Sequence, residues 1–105
     1  MAESDLCDPV REWLKRHGYV VYFELFDTDI VGVKGDELIA VELKSCLTSR
    51  LCSQLHDRAL WADRVWGAVA SRPKCTKNFQ YYGWGLLIVK DGVAKQRVMA
   101  RPQPW

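Results

Sequence analysis

Apolar positions recur with two different periods along this chain of 105 residues, and the changes of period mark its elements. Val10, Trp13, Leu14 and His17 stand at helical spacing behind Asp8-Pro9, which reads as an N-cap with proline at the first helical position. Gly18 supplies the stop, so His17 reads as a helix-end residue and not as a catalyst. The stretch Tyr19–Phe26 is β-branched and aromatic and predicts a strand; Asp29–Lys34 and Glu37–Lys44 predict two more. Thr48 or Ser49 then caps a helix running to about Ala62, with Leu51, Leu55, Ala59 and Ala62 along its inner stripe. Arg64–Ser71 reads as a short buried strand, and Lys74–Tyr82 as a helix stopped by Gly83. The last two strands form a hairpin about Asp91-Gly92, and the tail Arg101–Trp105, with its two prolines, reads as irregular. The order α-β-β-β-α-β-α-β-β predicts an α/β fold, a central mixed sheet flanked by helices.

Composition narrows this only a little. The length suits a single domain over 1–105, and 49% hydrophobic with 27% charged residues is ordinary for a folded protein. A net charge of +2 neither favours nor excludes nucleic acid, so any basic surface has to come from clustering. The acidic N-terminus lacks the apolar region of a signal peptide, and no apolar run reaches membrane-spanning length. The four cysteines show no CxxC spacing, so the expectation is a cytoplasmic protein with reduced thiols and no membrane partner. Cys46, Cys52 and His56 fit no zinc pattern, for want of a fourth ligand.

The chemistry concentrates in Asp27–Lys44. Glycine at the first central position of a two-residue loop marks a type II′ hairpin. With Gly35-Asp36 as that loop, Lys34 faces Glu37, Asp29 faces Glu42 and Asp27 faces Lys44. Opposed residues point to one face, and alternation puts Glu42 and Lys44 on that face together. Facing carboxylates repel, and a divalent cation such as Mg²⁺, which takes oxygen ligands, would neutralise them. Lys44 beside such a site could orient or deprotonate a water, which completes the parts for metal-assisted phosphodiester hydrolysis. The plainer alternative is that Lys44 pairs with Asp27 and Glu42 at a solvated sheet end.

These residues also carry a family likeness. The run from Asp29 through Glu42-Leu43-Lys44 resembles the core of the PD-(D/E)XK, or restriction-endonuclease-like, nuclease superfamily, and the likeness extends from Asp8 to about Arg101. It implies an αβββαβ core with an added C-terminal helix and hairpin, and a nuclease that uses Mg²⁺ or Mn²⁺. It further implies that Asp29, Glu42 and the Leu43 carbonyl hold the metal, that Lys44 acts on the attacking water, and that Gln54 supports the site. Glu24 matches an additional acidic position found in some members. Thr28 stands where the motif's name has proline, and Glu12 and Asp8 are the candidates for an acid on the first helix.

Arg50, Gln54 and Arg58, four apart, predict a basic line on one helix face, and Arg72, Lys74 and Lys77 a second group at the next helix start. Each reads either as a phosphate contact or as a solvated surface charge. Trp13 and Trp66 read as core, whereas Trp61, Trp84 and Trp105 are less clearly internal and could mark an interface. The expected partner is DNA, with RNA not excluded, and without a separate reading domain a homodimer or a partner protein would supply specificity. The alternative is a catalytically inactive nucleic-acid-binding or assembly module of the same fold.

Overall fold

The computed structural model describes residues 3–104. A 3-10 turn, Glu3–Leu6, runs straight into α1 (Cys7–Arg16). The helix therefore starts before the expected Asp8 cap: Leu6 is the N-cap, with no side-chain hydrogen bond. Asp8 lies inside the first turn and pairs with Arg11 at 3.3 Å, and Pro9 sits in that same turn, where a missing N–H costs nothing. Gly18, at φ +88, ends the segment. His17 is its C-cap; Nδ1 lies 2.7 Å from the Trp13 carbonyl and the ring stacks on Trp13.

Strands β1 (Val20–Leu25), β2 (Thr28–Lys34) and β3 (Glu37–Lys44) form an antiparallel meander. The β2–β3 register is the one expected, from Lys34↔Glu37 to Ile30↔Val41, and Gly35 takes φ +60 in the loop. The β1–β2 connection differs from expectation. Phe26 and Asp27 make a two-residue turn, both at φ +56, and Asp27 neither opens β2 nor faces Lys44. No glycine or asparagine announces this turn; it is held from outside, as described below.

Helix α2 (Ser49–Arg58) has Thr48 as its N-cap, the Thr48 hydroxyl accepting from the Leu51 N–H at 3.2 Å. It stops at Arg58 because Leu60 and Trp61 bond back to Asp57 and Arg58 in tighter turns, short of the expected end near Ala62. Strand β4 (Arg64–Val69), helix α3 (Lys77–Tyr82), and strands β5 (Gly85–Lys90) and β6 (Val93–Val98) complete the chain. Helix α3 begins three residues later than expected, leaving Lys74 in the loop before it. Residues 99–104 carry no regular structure.

The six-stranded sheet follows chain order, β1-β2-β3-β4-β5-β6, with β3, β4 and β5 parallel and the other neighbours antiparallel. Two successive crossovers in one direction carry α2 and α3 to the same face, as a fixed crossover hand requires. Their Leu51, Leu55 and Phe79 cover Ala40, Val65, Val69 and Leu86 there. Helix α1 closes the opposite face with Val10, Trp13 and Leu14 against Ile39, Val41, Trp66 and Leu87. A mixed sheet flanked by helices is thus the architecture, as the element order implied. Trp84 is buried and belongs to the core, contrary to its reading as an interface marker; Trp61 is half-buried, and Trp105 lies outside the described residues. Among the described residues no helix is long and apolar enough to cross a membrane.

Candidate functional site

The β2–β3 ladder stops one step short of Asp29 and Glu42, and the side chains take over the backbone bonding there. The Asp29 N–H donates to Glu42 Oε2 at 3.3 Å, and Asp29 Oδ2 accepts from the Leu43 N–H at 2.8 Å. On its other side β2 pairs Phe23↔Ile30 and Leu25↔Thr28 but skips Glu24 opposite Asp29, because Glu24 sits at φ +53. Asp29 is therefore released from regular pairing on both edges, at a fork in the sheet. A carboxylate that replaces a ladder carbonyl is pinned by its backbone donor, so the strands themselves orient the pair.

Glu42 is 1% exposed, the one ionisable residue counted as buried among the described residues. Burial, and after it the Asp29 carboxylate, push its pKa above the ordinary glutamate range; Arg58 and the Asp29 N–H pull the other way. The repulsion expected between these two acids is thus present. So is a protein counter-charge: Arg58 Nε lies 3.2 Å from Glu42 Oε2, and its NH2 donates to the Asp27 carbonyl at 2.6 Å. That second bond, together with Thr28 Oγ1 donating to the Phe26 carbonyl and the Phe26 ring against Trp61, holds the strained Phe26-Asp27 turn.

The expected basic line along α2 is corrected by this contact. Arg58 is mostly buried and tied to Glu42, so it does not lie open beside Arg50, which is exposed. Gln54, one turn before Arg58, is half-buried, and its Oε1 is a buried acceptor with no hydrogen-bond partner. Buried polar atoms are nearly always satisfied, so this acceptor is available to a water or a bound donor. Lys44 is 19% exposed at its side chain and reaches Glu3 Oε1 at 3.8 Å, in the N-terminal 3-10 turn, instead of Asp27.

Beside the fork opens a cavity of about 440 Å³ lined by Glu3, Asp8, Glu24, Asp29, Cys7 and Arg11. Glu24 thus shares a wall with Asp29, while Glu12 pairs with Arg11 on α1. Burial first, then the Asp29, Asp8 and Glu24 carboxylates, push the Cys7 thiol up, with Arg11 pulling the other way. Asp29 Oδ1 and Glu42 Oε1 make no hydrogen bond among the described residues, and Leu43 lines the same cavity as Asp29. Hard oxygen donors of this kind fit Mg²⁺ or Mn²⁺, which take one or two carboxylates and complete their shell with water and phosphate. No group of three or more His, Cys, Asp or Glu able to hold a metal occurs among the described residues, so water and substrate would have to supply the rest.

Arg72, Lys74 and Lys77 are exposed, in the loop after β4 and at the start of the six-residue α3. Sequence reasoning missed a larger basic feature, a groove of about 650 Å³ bordered by Arg72, Lys90, Lys95 and Arg97. The three later cations stand among Asp91, Val93, Ala94 and Gln96, with no spacing that marks a site, and read as the outer face of an ordinary hairpin.

No protein-family model and no curated protein matches this chain. Among solved structures it is similar to a protein of unknown function from Silicibacter pomeroyi, with a TM-score of 0.74 and 24% identity over 99% of this chain and 75% of that one. At that identity the likeness speaks to the fold alone.

Proposed function

We propose that this chain is a metal-dependent nuclease that hydrolyses DNA phosphodiester bonds, directed by substrate structure or ends more than by sequence. One observation carries the reading: Asp29 and Glu42 meet where β2 skips a pair with β1 and its ladder with β3 stops, each carboxylate pinned by a backbone N–H and each retaining one oxygen without a hydrogen bond among the described residues. A sheet that needed only a core would not bury Glu42 beside a second carboxylate. The divalent ion expected there supplies charge neutralisation and an acidified water. Asp29, Glu42 and the Leu43 carbonyl would hold it, with Glu24 on the cavity wall. Lys44, the next outward position after Leu43, brings an ammonium donor toward the charge that builds up on a phosphate oxygen. Gln54 offers its unpartnered acceptor to the water. The likeness to the PD-(D/E)XK superfamily in Asp29 and Glu42-Leu43-Lys44 supports the same assignment.

The experiment is cleavage of single-stranded, duplex, flap and four-way DNA by the full chain, with and without Mg²⁺, alongside Mn²⁺ titration calorimetry. Asp29→Ala is expected to lose the metal isotherm and cleavage together. Lys44→Ala is expected to keep metal and DNA binding and lose most turnover, as a group acting in the chemical step does. Unchanged metal affinity in Asp29→Ala would reject the site.

A second reading, a catalytically inactive nucleic-acid-binding or assembly module, is favoured by one contact. Arg58 already supplies Glu42 with a cation, so the buried acid has a structural partner. Binding without Mg²⁺-dependent cleavage of any substrate would select it. Its assembly form would use the edge strand β1, where Val20, Tyr22 and Phe23 are exposed; sedimentation of a single 12.1 kDa species would count against a homodimer.

A further inference from the structure

The basic groove and the carboxylate fork lie at the same end of the sheet. Register links them in one transverse row: Lys44 on β3 is level with Val69 on β4, Val69 with Ile88 on β5, and Ile88 with Lys95 on β6. Adjacent strands are about 4.8 Å apart, so Lys44 and Lys95 stand roughly 14 Å apart along this end. Arg72, in the loop that leaves β4, falls between them.

The charges in the groove are not spoken for. Arg72, Lys90, Lys95 and Arg97 are all exposed, and none makes an ion pair or a side-chain hydrogen bond among the described residues. Elsewhere Arg11, Lys44, Arg58 and Arg64 all face carboxylates. Asp91 is the one acid on the groove's lining. Ile88 and Val93 give it an apolar floor between the cations. At Leu86/Leu87 the β5–β6 pairing slips, and the unpaired residue there is Arg97, which the irregularity sets apart from the ladder.

We propose that this groove holds the nucleic-acid strand flanking the scissile bond, its phosphates on Lys90, Lys95, Arg97 and Arg72. The inference rests on the nuclease reading for the position of the scissile bond, and it names the path that the substrate takes from there. The cations match a polyanion and the apolar floor suits sugar and base edges. Fourteen ångströms is about four nucleotide steps of a duplex strand, so the contact begins about four nucleotides to one side of the cut. The path runs along the sheet end and not across its face, because Val69 is buried under the helices.

The test is fluorescence anisotropy of the full chain with labelled single-stranded and duplex DNA at several salt concentrations and without divalent ions. Lys95→Gln/Arg97→Gln is compared with Lys15→Gln/Arg16→Gln, which removes the same charge from the exposed end of α1. All four side chains are exposed, so both proteins are expected to fold, and circular dichroism checks this. The groove variant is expected to flatten the plot of log affinity against log salt by roughly 1.4 to 1.8, about 0.7 to 0.9 per lost phosphate contact, while the control retains the wild-type slope. Shortening the DNA from one end only should erase the difference between groove variant and wild type. An unchanged slope in the groove variant, an equal loss in the control, or no DNA binding by wild type at low salt would overturn the proposal. Polyglutamate competing as well as DNA of equal charge would also overturn it, in favour of an acidic protein partner. The nuclease reading fails separately: wild type that binds through the groove but cleaves nothing with Mg²⁺ loses the enzyme and keeps the path. Cleavage unaltered by the groove substitutions does the reverse.

Discussion

The acidic fork at β2–β3 and the basic groove at β5–β6 open at the same end of one sheet, yet they hold their charges in opposite ways. Glu42 is 1% exposed and bonded to a backbone N–H and to Arg58, while Lys95 and Arg97 are exposed and have no ion-pair partner among the described residues. Taking a charge out of water is expensive, so a buried carboxylate is kept only with fixed partners, and fixed partners give fixed geometry. Exposed cations cost little to hold and remain mobile, which suits a polyanion that approaches in many registers. One region is built for position, the other for attraction.

The largest effect that separates the two is expected from Arg58→Ala. It strands Glu42 beside Asp29 and frees the Asp27 carbonyl, so urea denaturation should show a loss of about 3–5 kcal/mol. Lys95→Ala should stay within about 0.5 kcal/mol of wild type in the same assay. Comparable losses at the two positions would break the contrast.

An intermediate effect is expected from pH. The folded-state pKa of Glu42 lies above its unfolded value, so over the window between the two the folded chain binds a proton that the unfolded chain has lost. Its contribution is therefore most favourable below the ordinary glutamate pKa and declines as pH rises through the raised folded value, by about 1.4 kcal/mol for each unit of elevation. Glu42→Gln should flatten that decline in urea midpoints collected from about pH 4 to pH 8. Mg²⁺ should raise the wild-type Tm most at the upper end of that range, where both acids are ionised. A wild-type profile as flat as that of Glu42→Gln would show that Arg58 neutralises the acid completely.

The smallest effect sharpens the other side. Cations gathered in one groove repel each other, so Lys95→Gln should raise stability by about 0.2–0.5 kcal/mol at low salt, and the gain should vanish as salt screens the repulsion. A loss at low salt would mean that Lys95 has a partner in solution.

Much of this was legible along the chain where short-range rules decide. Gly35-Asp36 and Asp91-Gly92 have the backbone freedom that two-residue hairpins require, and the β2–β3 register followed from the first, bringing Asp29 level with Glu42. The Phe26-Asp27 turn was not legible. Its positive φ angles are held by Arg58 and Trp61, more than 30 residues away in sequence, and no local preference announces them. The α2 spacing told which residues share a face, and so grouped Arg50, Gln54 and Arg58, but not that the far end of that face meets a buried acid.

By itself, then, the sequence determined the order of the elements, the β2–β3 register and the meeting of two carboxylates, because those depend on backbone preferences and side-chain period over a few residues. The tertiary structure alone decided which cation neutralises Glu42, that Lys44 reaches Glu3, and that Arg72 joins Lys90, Lys95 and Arg97 at one groove. Those placements depend on strand order and crossover hand, which bring together segments that share no local signal.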